Sequence, residues 1–135
     1  MALINWNENL SVKIKSIDDQ HKKLITMLNN LHDAMREGKG KEKIGPVLDE
    51  LVSYTKYHFS YEEDLLKKAG YMELSAHKRE HTALTDRVTE LQTKFKSGNV
   101  AITIETMTFL KDWLNGHILG TDRRYSDFLI SKGVN

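Results

Sequence analysis

The chain has 135 residues, long enough for a single domain that buries its own core. Its 20 basic and 19 acidic side chains leave a net charge of +1, so no global field draws it to nucleic acid or to an anionic membrane. Cysteine is absent, which excludes disulfides, thiolate zinc sites, iron–sulfur clusters and a cysteine nucleophile.

The start, Met1 to Glu8, has neither the basic region nor the apolar run of a signal peptide. No apolar run approaches the roughly 20 residues of a membrane span, so a cytoplasmic protein with no membrane or nucleic-acid partner is expected. The sequon Asn9-Leu10-Ser11 carries no weight without a secretion signal. Residues 1 to 16 are expected to form an extended N-terminal arm. Leu10, Val12 and Ile14 alternate as if one side is buried, and Trp6 is suited to pack the arm against the body.

Four helices are expected next. The first starts near Ser16 or Asp18, both suitable N-caps, and runs to about Glu37, where Gly38 and Gly40 stop it. Its apolar face carries Ile17, Leu24, Ile25, Leu28, Leu31 and Met35, with His21 on the same face. The second runs from about Glu42 to Ala69, with Pro46 in its first turn or so and Gly70 as its C-terminal glycine. Val47, Leu48, Leu51, Val52, Thr55, His58, Phe59, Glu62, Leu65 and Leu66 keep its helical spacing. The third starts near Glu73 or Ser75 and runs to about Lys96, before Ser97-Gly98-Asn99. Its inner positions Leu74, His77, His81, Leu84, Val88, Leu91 and Phe95 alternate three and four apart, a seam with two histidines in it. The fourth runs from about Ile102 to Leu119, with Met107, Leu110, Trp113, Leu114 and His117 on its buried stripe. Gly120 is expected to interrupt it, and a short terminal helix over about 121–131 carries Tyr125, Phe128 and Leu129.

Short connections and the absence of repeats or linkers predict an all-α fold in one domain over 1–135. It is an antiparallel up-down-up-down four-helix bundle over about 17–119, with the arm before it and the short helix after it. In that topology the start of helix one, the end of helix two, the start of helix three and the end of helix four share one end of the bundle. His21, His58, His77, His81 and His117 all fall at that end, together with Glu62. Chance placement would scatter them. His32 is the internal control: it lies on nearly the face of His21 but about 16 Å further along the axis, with no ligand-type partner at its level.

A lone histidine on an apolar face is usually a core residue. Five at one level are not, because burying unpaired imidazoles costs roughly 1–3 kcal/mol each and burying the charge of Glu62 costs more. A metal centre removes those costs. Spacing alone does not decide Asp122. Five residues after His117 is about 140° round an ideal helix, so it shares a face with His117 only if the chain breaks or widens near Gly120; otherwise it caps the terminal helix or lies on the surface. Imidazole with carboxylate suits iron, zinc, copper or nickel better than calcium or magnesium. Two octahedral ions offer twelve positions. Five imidazoles, two bridging carboxylates and one bridging oxygen leave one open, which admits a diatomic ligand and no organic substrate.

In these residues the chain resembles the hemerythrins, and within them the single-domain bacteriohemerythrins, over essentially its whole length. The resemblance is carried by Trp6, by I-D-D-Q-H-K at 17–22, H-F-S-Y-E-E at 58–63, H-K-R-E-H at 77–81 and W-L-N-G-H-I-L-G-T-D at 113–122. It implies two non-heme iron ions bridged by an oxo or hydroxo group. His77, His81 and His117 would hold one and His21 and His58 the other, with Glu62 and Asp122 bridging. The implied function is reversible dioxygen binding at the open position of the two-histidine iron, as carrier, store or sensor and not as an enzyme. Phe59, Trp113, Leu114 and Ile118 would line the oxygen pocket. Lys13 stands where many members have glycine, and Met72 where many have proline; neither is a ligand.

Other functions fit less well. A di-iron oxidase or peroxidase of the carboxylate-rich kind uses Glu-x-x-His pairs, and none occurs. A zinc hydrolase needs a general base and a cleft, and neither has a candidate. An iron or nitric oxide response role stays open beside oxygen binding. The expected recipient of oxygen is an oxygen-consuming enzyme or a signalling domain. A monomer is favoured, since no large exposed apolar stripe is evident. The ending Lys132-Gly133-Val134-Asn135 suits a stand-alone domain, and an excised sensor domain would end similarly.

Overall fold

The computed structural model describes residues 4–37, 41–98 and 104–134. Its helices are α1 (Lys15–Arg36), α2 (Lys41–Ala69), α3 (Leu74–Lys96), α4 (Ile104–Gly116) and α5 (Arg123–Ser131). A π turn over His117–Asp122 joins the last two, and a 3₁₀ turn over Glu8–Leu10 interrupts the arm. The expected stops at Gly38, Gly40 and Asn99, and the expected start near Ile102, lie outside the described residues.

Contacts between the helices run in opposite order along neighbours, as an antiparallel bundle requires. Gln20 and Lys23 of α1 meet His58 and Tyr54 of α2. Glu63 and Asp49 of α2 meet His81 and Gln92 of α3. His81 and Arg87 of α3 meet His117 and Phe109 on the last long segment. No helix among the described residues is long and apolar enough to cross a membrane.

The helix ends follow local chemistry, with one correction at the start of α1. Gly70, at φ 77°, closes α2: its neighbour Tyr71 donates back to the Leu66 carbonyl at 3.0 Å, a left-handed stop that glycine makes without a Cβ clash. Neither Ser16 nor Asp18 caps α1. The cap is Ile14, which makes no side-chain cap bond. Asp18 instead reaches back to the arm, accepting from the Val12 N–H at 2.8 Å and from Ser11 Oγ at 2.5 Å. Ser126 Oγ of α5 donates to the Val12 carbonyl, and Asn29 pairs with both backbone groups of Ile4. The arm is thereby stitched to α1 and α5, with Leu10, Val12 and Ile14 buried.

Apolar residues pack in two clusters, and the order along the helices puts one polar layer between them. Going along α1, Ile17 belongs to the smaller cluster, His21 to the polar layer and Leu24 to the larger. In α2 the order is Phe59, Glu62, Leu66. On the last segment it is Leu114, His117 and Asp122, then Tyr125. The polar layer is therefore held between two apolar plugs.

Candidate metal centre

Four elements deliver seven side chains to this layer: His21 from α1, His58 and Glu62 from α2, His77 and His81 from α3, and His117 and Asp122 from the π turn. None exposes more than 4% of its surface, so water at the surface does not satisfy them. His58 and Glu62, and His77 and His81, share faces because they lie four apart on α-helices. His117 and Asp122 lie five apart. Their meeting depends on the π turn, in which bonds run i→i+5 and one extra residue is accommodated per turn. The chain does not break at Gly120; it widens across it. Gly120 itself has no left-handed φ and open space where a Cβ would stand, so the widening does not rest on glycine.

All five imidazoles turn Nε2 inward. Each carboxylate divides its oxygens between two groups of them. Glu62 Oε1 lies 2.5 Å from His77 Nε2 and 3.0 Å from His81 Nε2, while Oε2 lies 3.5 Å from His58 Nε2 and 3.8 Å from His21 Nε2. Asp122 Oδ1 lies 3.0 Å from His117 Nε2 and 3.2 Å from His77 Nε2, while Oδ2 lies 3.1 Å from His21 Nε2. Two constellations result: His77, His81 and His117 with both carboxylates, and His21 and His58 with Glu62.

The donor atoms fit cations better than they fit one another. His81 Nε2 and His117 Nε2 face each other at 3.1 Å, two ring nitrogens aimed at one point. Both oxygens of Asp122 and Nε2 of His21 are buried without a hydrogen-bond partner, although they lie close together. Such convergence of lone pairs is costly unless a cation takes them up. The donors are nitrogen and oxygen only, a set that suits first-row transition metals.

The histidines and carboxylates of this layer shift one another's affinity for protons. Burial opposes protonation of His21 and His77, but the carboxylates of Asp122 and Glu62 outweigh it and raise their pKa values to about 9 and about 10. Burial works against the Glu62 carboxylate too, yet the surrounding histidines hold its pKa well below the usual range. His58 is the exception, lowered to about 4 by burial.

Outer partners set the tautomers. His58 Nδ1 donates to Gln20 Oε1 at 2.6 Å, His81 Nδ1 to Glu63 Oε2 at 2.7 Å, and His117 Nδ1 to Glu80 Oε1 at 3.2 Å. A proton held on Nδ1 leaves Nε2 with its lone pair free for a metal. Tyr125 Oη donates to Glu62 Oε2 at 2.8 Å. Sequence reasoning missed all four partners. Gln20 had a signal, a polar residue three after Ile17 on the core stripe, and Tyr125 stands three after Asp122. Glu63 and Glu80 look like ordinary solvated charges.

An apolar cavity of about 40 Å³ lies on the side of the larger cluster, lined by Leu24, Thr55, Phe59, Leu84, Trp113, Leu114 and their neighbours. Phe59 stacks on His81 with ring centroids 3.8 Å apart, and Trp113 on His117 at 4.5 Å. Of the four residues expected to line an oxygen pocket, Phe59, Trp113 and Leu114 line this cavity. Ile118 is not among its lining residues and is buried in the same larger apolar cluster. His32 is half-buried and belongs to neither constellation.

The chain is similar to proteins already known. Residues 12–129 match the family described as the Hemerythrin HHE cation binding domain. A bacteriohemerythrin of Stenotrophomonas maltophilia is 42% identical over 127 residues, covering 94% of this chain and 82% of that protein. One from Methylococcus capsulatus is 38% identical over 130 residues, covering 96% and 98%. The crystal structure of a wild-type hemerythrin superposes with a TM-score of 0.91 at 37% identity, covering 95% of this chain and 98% of the other.

Proposed function

The chain belongs to the hemerythrin family, and on that premise we propose that its buried layer holds two non-heme iron ions bridged by an oxo or hydroxo group and binds dioxygen reversibly. His77, His81 and His117 hold one ion, His21 and His58 the other, and Glu62 and Asp122 span both. The observation that carries this reading is the division of each carboxylate's oxygens between the two histidine groups. A single-ion site has no use for it. When bound, the pair of ions supplies two electrons that dioxygen borrows and returns.

The chain's own residues do the rest. Around two six-coordinate ions, five histidines, two carboxylates and one bridging oxygen would leave one position open, on the two-histidine side. Tyr125 and Gln20 fix Glu62 and His58 there. The apolar cavity, whose lining includes Leu24 and Thr55, each three residues from His21 or His58, has room for a ligand of two or three atoms, since a water needs about 10–15 Å³ of such space. An apolar wall of this kind would keep water and protons from a ligand bound beside it, which favours reversible binding over turnover. The protein acts as an oxygen carrier, store or sensor and not as an enzyme.

The test is optical. Purified protein contains about two irons per chain, is colourless when reduced, takes colour in air and loses it when oxygen is removed. A preparation that holds mainly zinc, or a colour that removing oxygen does not reverse, sinks the reading.

A further inference from the structure

We propose that Glu80 is a positioning residue that locks the π turn in register and so delivers Asp122 to the metal centre. Glu80 lies on α3 between His77 and His81. Its Oε1 accepts from Thr121 Oγ1 at 2.8 Å and from His117 Nδ1 at 3.2 Å, and its Oε2 accepts from Thr121 Oγ1 at 3.0 Å. One carboxylate therefore holds the first residue of the turn and the residue just before Asp122.

The geometry of the turn makes this grip selective. In a widened turn of more than four residues per revolution, the fourth residue after His117 falls short of a full revolution and the fifth passes it. Thr121 and Asp122 then flank His117. In an α-helix of 3.6 residues per turn both residues have already passed it, and Asp122 points away from the bundle axis. Holding Thr121 on the α3 side of His117 keeps the wide form and leaves Asp122 facing His77 and His21. A π turn needs such a hold, because neighbouring α-helical bonding competes for the same backbone groups. Glu63 provides the comparison: it makes the same kind of bond to a histidine, His81, but from α2.

The inference rests on the di-iron reading for one readout only. Amide hydrogen exchange across residues 117–122 is measured on the full chain, as purified and again with metal stripped. Iron loss to a chelator is followed in parallel. Glu80→Ala is expected to speed exchange across the turn and iron loss by about tenfold or more, the lower end of outer-partner effects. Thr121→Val moves exchange in the same direction. Glu80→Gln, whose amide oxygen still accepts from Thr121, stays within about threefold of the parent. Glu63→Ala leaves turn exchange unchanged. Parental exchange in both Glu80→Ala and Thr121→Val overturns the proposal, as does equal loosening of the turn by Glu63→Ala. If Glu80→Ala does not fold, Thr121→Val against Glu63→Ala decides it. A protein that takes up no iron refutes the di-iron reading, while exchange in the stripped chain still decides the clamp.

Discussion

Asp122 Oδ1 lies 3.0 Å from His117 Nε2, five residues earlier in the chain. An unbroken α-helix would hold these side chains on different faces. The π turn between them is what closes the candidate site on its fourth side, and it does so with no special residue at its centre.

That relationship predicts different outcomes for two changes at Gly120. Gly120→Ala meets open space and no left-handed φ, so it should keep iron and change stability by no more than about 1 kcal/mol, in the stabilising direction expected from helix propensity. Inserting one alanine after Gly120 sets the aspartate six residues after His117, about 240° round an α-helix and past the His117 face in the widened turn as well, and should lower iron content to one ion per chain or fewer. Iron analysis and urea unfolding measure both. Full iron retention in the insertion would show that the register of the widened turn does not place Asp122.

His117 and His32 separate the ligand layer from the rest of the bundle. His117→Ala removes one nitrogen of the three-histidine constellation, and the protein should fall from about two irons per chain to one or fewer and melt at a lower temperature when loaded. His32→Ala lies outside both constellations and should keep its iron. Equal iron content in the two variants contradicts the assignment.

Lys13 has φ 64°, a left-handed conformation that costs a residue with a Cβ roughly 1–2 kcal/mol, against roughly 0.5–1 kcal/mol of extra chain entropy that glycine loses on folding. The first effect is the larger, so Lys13→Gly should stabilise the protein by about 0.5–1 kcal/mol. Denaturant midpoints of parent and variant measure it. A lower midpoint in the glycine variant would mean that interactions of the lysine side chain outweigh the backbone strain.

Much of this molecule is legible in one dimension. Apolar spacing marks the four long helices, because a face that must be buried repeats every three or four residues. Gly70 ends α2 because only a residue without a Cβ takes its φ of 77° freely. The levels of His21, His58, Glu62, His77, His81 and His117 follow from helix lengths and antiparallel order, since rise per residue is constant.

Tertiary structure alone decides the rest. Asp122 faces inward because the helix widens by a residue there, and five-residue spacing by itself is compatible with ligand, cap or surface. Asp18 looks like a helix cap in sequence but spends its carboxylate on the arm, since Val12 and Ser11 come within reach only once the arm folds back. Gln20 meets His58 across 38 residues and Tyr125 meets Glu62 across 63. No periodicity encodes such pairs, because each depends on where two distant helices come to rest against each other. Which oxygen of Glu62 or Asp122 faces which histidine is of the same kind: chain order supplies the donors, and only packing sets the few tenths of an ångström and the angles that divide them into two groups.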